Sequence, residues 1–160
     1  MANQRFPTTQ AIRLLKQLKI PFEPRIYDFT PKGGTGHAAV SLKVPEHAVV
    51  KTLVMADEAG NVLLVLMHGD SQVSTKKLAR FINTKRIEPC DANTAFKATG
   101  YKVGGISPLG TRQALKVYAE ASLFELDKIF INGGKRGLLV EMAPKDLDKA
   151  LAVTRVNVAV

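Results

Sequence analysis

Residues 101–111 have the sequence Tyr-Lys-Val-Gly-Gly-Ile-Ser-Pro-Leu-Gly-Thr. The part from Gly104 to Gly110 contains three glycines and one proline in seven residues, a composition that continues neither a helix nor a central strand. It predicts a shaped loop that exposes backbone N–H groups. Such amides can bind a carbonyl or phosphate oxygen, as they do in oxyanion holes and anion nests. An ordinary surface turn has the same composition, so both interpretations stay open.

A second glycine cluster lies nearer the carboxyl end of the chain. Residues 132–137, Asn-Gly-Gly-Lys-Arg-Gly, separate two apolar runs at 128–131 and 138–142. This pattern predicts a β-hairpin whose tip carries the two cations Lys135 and Arg136.

One lysine interrupts an apolar strand. Residues 49–55 read Val-Val-Lys-Thr-Leu-Val-Met, which is otherwise typical of a buried strand. Lysine is almost never fully buried without a partner. We therefore expect Lys51 to open onto a cleft.

Taken in order, these segments resemble the bacterial YbaK/EbsC family, whose members are single-domain relatives of the editing domain inserted in bacterial prolyl-tRNA synthetase. The resemblance extends from about residue 11 to about residue 151 and is stronger in the second half of the chain. Its motifs are Lys51-Thr52-Leu53, Thr99-Gly100-Tyr101, residues 104–110 and residues 133–138.

The resemblance implies an α/β fold in which a curved, partly barrel-like mixed sheet has helices packed outside. It also implies an aminoacyl-tRNA deacylase that acts in trans and cleaves the ester of a mischarged tRNA, with Cys-tRNA(Pro) as the leading substrate. The implied partners are tRNA, with tRNA(Pro) the leading candidate, and prolyl-tRNA synthetase. No cofactor is implied.

The same resemblance assigns roles to residues. Lys51 would hold the terminal phosphate or ribose. The amides of Gly104, Gly105 and the residues after them would hold the ester carbonyl, while water or the thiol of a cysteinyl substrate attacks. For Tyr27 a core aromatic position is an equal alternative. Further substrate contacts are expected at Tyr27, Thr52, Ile106, Ser107, Gly133, Gly134 and Leu139.

Two positions depart from the family pattern. Residues 33–36, Gly-Gly-Thr-Gly, stand where an aromatic residue is common, and Leu139 stands where Asp or Gln is common. Leucine cannot hydrogen-bond a substrate amine or thiol. Cysteine specificity is therefore in question, and a small apolar or hydroxyl amino acid is the alternative.

Charge favours a polyanionic partner. The 160 residues carry 23 Lys and Arg against 14 Asp and Glu, a formal net charge of +9. A basic surface that only maintains solubility is the alternative interpretation. We predict contacts with the tRNA backbone at Lys76, Lys77, Arg80, Lys135 and Arg136.

Length and composition limit the number of domains, the cellular location and the metal or disulfide chemistry of the protein. One domain, residues 1–160, is expected from the length. The longest apolar run, residues 62–67, is far shorter than the ~20 residues that span a bilayer. Residues 1–7 lack the apolar core of a secretion signal, so we expect a cytoplasmic protein. Three histidines without ligand spacing and the single Cys90 predict neither a metal site nor a disulfide.

The pattern of elements predicts a mixed sheet, because hairpins outnumber strand-helix-strand crossovers. Helices are expected after Thr8-Thr9, near residues 37–43, after Ser74 or Thr75, at 92–98 and from Pro144. Strands are expected at 22–29, 49–56, 61–68, 86–90, 114–119, 128–132 and 138–142. A non-catalytic RNA-binding or interaction module with this fold remains the alternative to an editing hydrolase.

Overall fold

In the computed structural model, residues 5–160 form helices and two β-sheets. Residues 1–4, part of the segment in which we find no secretion signal, lie outside the described residues. The α-helices are α1 Gln10–Gln17, α2 Gly34–Leu42, α3 Thr75–Ile82, α4 Ala92–Thr99 and α5 Leu147–Ala150. The strands are β1 Glu23–Ile26, β2 Val50–Asp57, β3 Val62–His68, β4 Ile87–Pro89, β5 Lys116–Glu120, β6 Ile129–Lys135, β7 Leu138–Met142 and β8 Val153–Val156.

The strands divide into a three-stranded and a five-stranded sheet. The smaller sheet has the order β1-β7-β6 and is antiparallel. The larger has the order β4-β2-β3-β5-β8, with β3-β5 and β5-β8 parallel. A parallel bridge between Val49 and Phe130 connects β2 to β6. The mixed α/β fold predicted from the sequence is thereby confirmed, with two sheets in place of one and no closed barrel.

The two faces of β2 pack into different cores. Val50 and Val54 point into the principal core, which includes Ile12 and Leu15 of α1. Met55, whose side chain points to the opposite face of the strand, packs in a second core beneath α3. Because successive side chains of a strand point to opposite faces, β2 is covered on both sides. Its backbone position is therefore fixed by packing.

Two helices start at the predicted caps, Thr9 and Ser74, and a third starts at Asp91, which was not predicted as a cap. The side chains of Thr9, Ser74 and Asp91 each accept a hydrogen bond from the backbone N–H three residues later, which begins α1, α3 and α4. Helix α2 begins three residues earlier than expected, at Gly34. Here the Thr35 hydroxyl donates to Glu46 across 2.7 Å, a tertiary contact that the glycine-rich composition does not reveal.

Strand β8 was not predicted. It pairs in parallel with β5, and Glu120 at the end of β5 accepts hydrogen bonds from the backbone N–H groups of Val158 and Ala159 at 2.7 and 3.1 Å. The buried carboxylate thus holds the chain that follows β8. No helix among residues 5–160 is long and apolar enough to span a membrane.

Candidate active site

A cleft opens where the edge of β2 lacks a neighbouring strand. Strand β4 pairs with β2 only from Met55 to Asp57, and β6 reaches it only at Val49. Between these contacts lies a cleft of about 680 Å³. Its walls come from the segment that precedes and begins α2, from β2, from the loop after α4 and from the β6–β7 hairpin.

The free edge of β2 offers backbone groups to this cleft. The Val54 carbonyl accepts a hydrogen bond from Cys90 N–H at 2.9 Å on that edge. Because successive residues of a strand direct their N–H and C=O groups to opposite edges, those of Thr52 lie on the same edge as the Val54 carbonyl. The Thr52 hydroxyl is buried and has no hydrogen-bond partner among residues 5–160. Thr52, predicted as a substrate contact, thus lines the cleft with unused polar groups.

Lys51 lies in the cleft wall and is half-buried. No carboxylate of residues 5–160 forms an ion pair with it. Lys32 and Arg136 also line the cleft, whereas no Asp or Glu in the described part of the chain does so. An unneutralised cationic cleft of this kind suits an anionic ligand.

The glycine-rich loop after α4 contributes three residues to the cleft, Val103, Gly104 and Ile106. Gly105 does not line it, and its N–H donates to the Lys102 carbonyl at 2.8 Å. No hydrogen bond within residues 5–160 uses the N–H of Gly104 or of Ile106. Of the amides predicted from the sequence, those of Gly104, Gly105 and the residues after them, the N–H of Gly105 is therefore occupied, and those of Gly104 and Ile106 have no partner within residues 5–160.

Ser107, predicted as a substrate contact, forms a hydrogen bond within the protein and does not line the cleft. Its side chain is fully buried, outside the cleft lining, and its Oγ accepts a hydrogen bond from Leu109 N–H at 3.1 Å. The hydroxyl thereby stabilises the turn in which the loop ends.

The loop is fastened to the hairpin by Asn132 and by close backbone packing. Asn132 Nδ2 donates to the Gly104 carbonyl at 3.2 Å, while its Oδ1 accepts from the N–H groups of Gly134 and Lys135. A Cβ built on Gly105 would lie 2.7 Å from the Arg136 backbone nitrogen. Glycine at 105 is therefore required by the approach of two backbones.

Gly133 and Gly134 do not line the cleft. A Cβ on Gly133 would meet the Leu138 side chain, and one on Gly134 would lie 2.7 Å from the Tyr101 ring. The Tyr101 hydroxyl donates to the Leu109 carbonyl at 2.6 Å, and burial raises the pKa of Tyr101 to about 12. Gly133 and Gly134 are therefore positions of close packing, whereas the resemblance implies substrate contacts there.

Tyr27 and Leu139 both lie at the cleft, as the resemblance implies. Tyr27 is half-buried and packs edge-on against His37, with ring centroids 5.9 Å apart. Burial raises the pKa of Tyr27, so its hydroxyl stays protonated. Leu139 is only 4% exposed and gives the wall an apolar surface.

Several cleft residues were not identified from the sequence, notably Phe29, His37 and Asn132. Asn132 directly precedes the Gly-Gly pair, and asparagine commonly bonds the backbone two residues on, so this position carried a usable signal. His37 Nε2 lies 2.7 Å from the Asp28 carbonyl, which orients the ring. Phe29 lies in a loop and has no such signal.

The predicted cations occupy two separate places. Arg136 lines the cleft, and the neighbouring Lys135 is exposed at the hairpin tip. Lys76, Lys77 and Arg80 belong to α3, which packs on the other face of the larger sheet, and none of them lines the cleft.

Cys90 is half-buried at the cleft. Burial, with a contribution from Asp91, raises the pKa of its thiol. Since the thiolate is the reactive form, this environment does not activate a nucleophile.

One group of metal-type ligands occurs away from this cleft, formed by His47, His68 and Asp70. The two imidazole rings are stacked, 3.7 Å apart and 7° from parallel. An ion must lie near the plane of each imidazole that binds it, and two parallel planes do not intersect. His68 is also hydrogen-bonded at both nitrogens, to the His47 carbonyl and to Ser122 Oγ. The group is a hydrogen-bonded cluster that does not fit an ion.

Comparison with known proteins agrees with this geometry. The model of the aminoacyl-tRNA editing domain family matches residues 33–150, which include Lys51, the glycine-rich loop and the hairpin. The chain belongs to this family. EbsC of Enterococcus faecalis, described as a Cys-tRNA(Pro)/Cys-tRNA(Cys) deacylase, is 27% identical to this editing domain over 138 residues, 86% of this chain and 84% of EbsC.

Two further proteins are similar to this editing domain. The proline–tRNA ligase of Brachyspira hyodysenteriae is 27% identical over 86 residues, which are 54% of this chain and 15% of the ligase. A crystal structure described as that of a trans-editing enzyme for prolyl-tRNA synthetase superposes with a TM-score of 0.81 at 19% identity, covering 96% of this chain and 98% of that one. At this identity the superposition establishes the shared fold.

Proposed function

We propose that this protein is an aminoacyl-tRNA deacylase that acts in trans, in the cytoplasm, on mischarged tRNA. The observation that carries the proposal is one cleft that contains Lys51 and the amides of Gly104 and Ile106. In the described chain Lys51 has no ion pair, and neither amide N–H has a hydrogen-bond acceptor. The absence of Asp and Glu from the described lining residues supports an anionic substrate such as a tRNA 3′ end.

The reaction needs little activation, because an aminoacyl ester is already reactive. Lys51 would bind the terminal phosphate or ribose and hold the ester over the loop, which converts a bimolecular encounter into a positioned one. The amides of Gly104 and Ile106 would take up the charge of the tetrahedral intermediate, a contribution of roughly 10²- to 10³-fold per donor in other enzymes. Water adds to the ester carbonyl, and the bond from that carbon to the ribose oxygen breaks, which releases the amino acid and the free tRNA hydroxyl. When the amino acid is cysteine, its own thiol can add instead, and the same bond breaks to release the tRNA hydroxyl and a cysteine thiolactone.

The amino acid removed is expected to be small. The wall formed by Leu139, Ala38 and Val50 is apolar, and the Thr52 hydroxyl and the β2 edge provide the polar groups near it. This favours cysteine or a small apolar amino acid over a charged one. EbsC is described as acting on both Cys-tRNA(Pro) and Cys-tRNA(Cys), and the similarity to a proline–tRNA ligase favours tRNA(Pro) of the two and the synthetase as a partner.

The alternative is a non-catalytic module that binds tRNA and does not turn it over. It is favoured by the departures at Leu139 and at residues 33–36, which both lie in or near the cleft. Incubation with a panel of mischarged tRNAs distinguishes the two: an editing enzyme removes the amino acid, whereas a module retains the tRNA with its ester intact.

Binding of tRNA is expected to depend steeply on salt. Removing Lys135, or the α3 cations Lys76, Lys77 and Arg80, should make the plot of log K against log salt less steep. The magnitude of its negative slope should fall by roughly 0.7 to 0.9 for each phosphate that the protein no longer binds. The measurement is tRNA affinity at several salt concentrations. Lys128→Ala is the control, since Lys128 already pairs with Glu141 at 3.7 Å. If the slope is unchanged in the Lys135 and α3 variants, these cations form only a solvated surface.

Activity is expected to persist without a thiol or a metal. Cys90→Ser should leave the rate of ester loss essentially unchanged, because the raised pKa of Cys90 keeps it protonated at neutral pH. EDTA should likewise have no effect, since the His47, His68 and Asp70 cluster does not fit an ion. An inactive Cys90→Ser protein that remains folded, or inactivation by EDTA, would place the chemistry in other groups.

A further inference from the structure

One side of the cleft mouth is formed by an arginine held over an aromatic ring. The Arg136 guanidinium carbon lies 5.2 Å from the centroid of the Phe29 ring. Its Nε donates to the Val103 carbonyl at 2.9 Å. We call Phe29, Val103 and Arg136 the stacking rim. All three line the cleft, next to Gly104.

The two contacts restrain the guanidinium. The ring supports it on one side, and the bond to Val103 occupies one of its five N–H donors. Arg136 is nevertheless exposed, and 53% of Val103 is exposed beside it. An apolar side chain next to a flat, supported cation is a surface for a planar ring, whereas a phosphate would gain nothing from Val103.

We propose that the stacking rim binds an unpaired nucleobase, that of the 3′-terminal nucleotide of the tRNA. This rests on the proposed function, which places the ester of that same nucleotide at the Gly104 and Ile106 amides. The base is joined to the esterified ribose, so it lies within one sugar of Gly104, where the rim is. Arginine planes and aromatic side chains are common stacking partners for unpaired bases.

This changes the role predicted for Arg136 from the sequence. A phosphate contact depends on charge and tolerates lysine, whereas a stacking contact depends on the planar guanidinium, which lysine lacks. The two roles therefore separate in Arg136→Lys. Phe29→Leu removes the ring beneath the guanidinium and keeps an apolar side chain.

The test compares the protein's affinity for two oligonucleotides that end in CCA and carry no amino acid. One is intact, and the other is abasic at the last nucleotide. Wild-type protein should bind the intact oligonucleotide roughly 5- to 150-fold more tightly, the range for one stacked base. Arg136→Lys and Phe29→Leu should lose most of this preference, and Arg136→Lys should keep the salt dependence. Arg112→Lys is the control, because Arg112 lies 5.1 Å from the Phe96 ring but outside the cleft lining.

Equal binding of both oligonucleotides by wild-type protein would overturn the proposal without any variant. So would a full preference in Arg136→Lys, or an equal reduction in Arg112→Lys. The assay reads no hydrolysis. A base preference without ester loss from charged tRNA would therefore uphold the stacking rim and refute the proposed function, and ester loss without a base preference would do the reverse.

Discussion

Lys51→Ala is expected to lower the rate of ester hydrolysis by about 100-fold or more, since misplacing a substrate in an active site commonly costs that factor. The structure gives the reason: Lys51 is half-buried in the cleft and has no ion pair with any carboxylate of the described chain. Its removal should therefore take away positioning and little packing. The melting temperature should change only slightly.

The measurement is single-turnover ester loss together with thermal unfolding. Lys51→Met keeps the apolar stem without the charge, so it should be as inactive as Lys51→Ala. Lys116→Ala removes an exposed lysine of β5 that does not line this cleft and should behave as wild type. A folded Lys51→Ala protein with the wild-type rate would show that Lys51 has no part in the reaction.

Gly105→Val is expected to abolish turnover, again by about 100-fold or more, through the loop that presents the Gly104 and Ile106 amides. The expected cause is the packing of two backbones, since a Cβ here would lie 2.7 Å from Arg136 N and 2.9 Å from Lys135 C. Neither atom can move as a flexible side chain can. The loop and hairpin must separate, which shifts the amides and should also lower stability by about 1–3 kcal/mol.

A matched pair of alanine variants checks this cause. Gly105→Ala meets the same backbone atoms and should lose much of the activity. Gly36→Ala adds a Cβ whose nearest neighbours would be the Glu46 carboxylate oxygens, at an ordinary 3.6 Å, and should remain active. Binding of tRNA, measured in parallel, should persist in Gly105→Val. Wild-type turnover by Gly105→Val would contradict this role of the loop.

Local chemistry made much of the fold predictable. The caps at Thr9 and Ser74 and the hairpin between β2 and β3 depend on residues close together in the sequence. The same holds for α4, which ends where Gly100 adopts a left-handed conformation. Lys51 was identified because a charge in an apolar strand conflicts with burial, and it does line the cleft.

What escaped prediction depends on contacts between distant residues. Strand β8 pairs with β5 in register Val117 to Val153, across two intervening strands of the other sheet. Two features of the cleft likewise depend on the folded loops. The Gly105 N–H is hydrogen-bonded to the Lys102 carbonyl, and Arg136 packs over the Phe29 ring. No local sequence pattern predicts these contacts, because the same glycine-rich and basic segments are also typical of solvated turns.

The most direct test of the central claim is single-turnover hydrolysis of mischarged tRNA(Pro), carrying cysteine or alanine, by wild-type protein. We predict release of the amino acid well above the rate in buffer, and release slower by about 100-fold or more when Lys51→Ala or Gly105→Val replaces the wild type. If folded wild-type protein binds these tRNAs and leaves every ester intact, the cleft is a binding site without catalysis and the proposed deacylase activity is wrong.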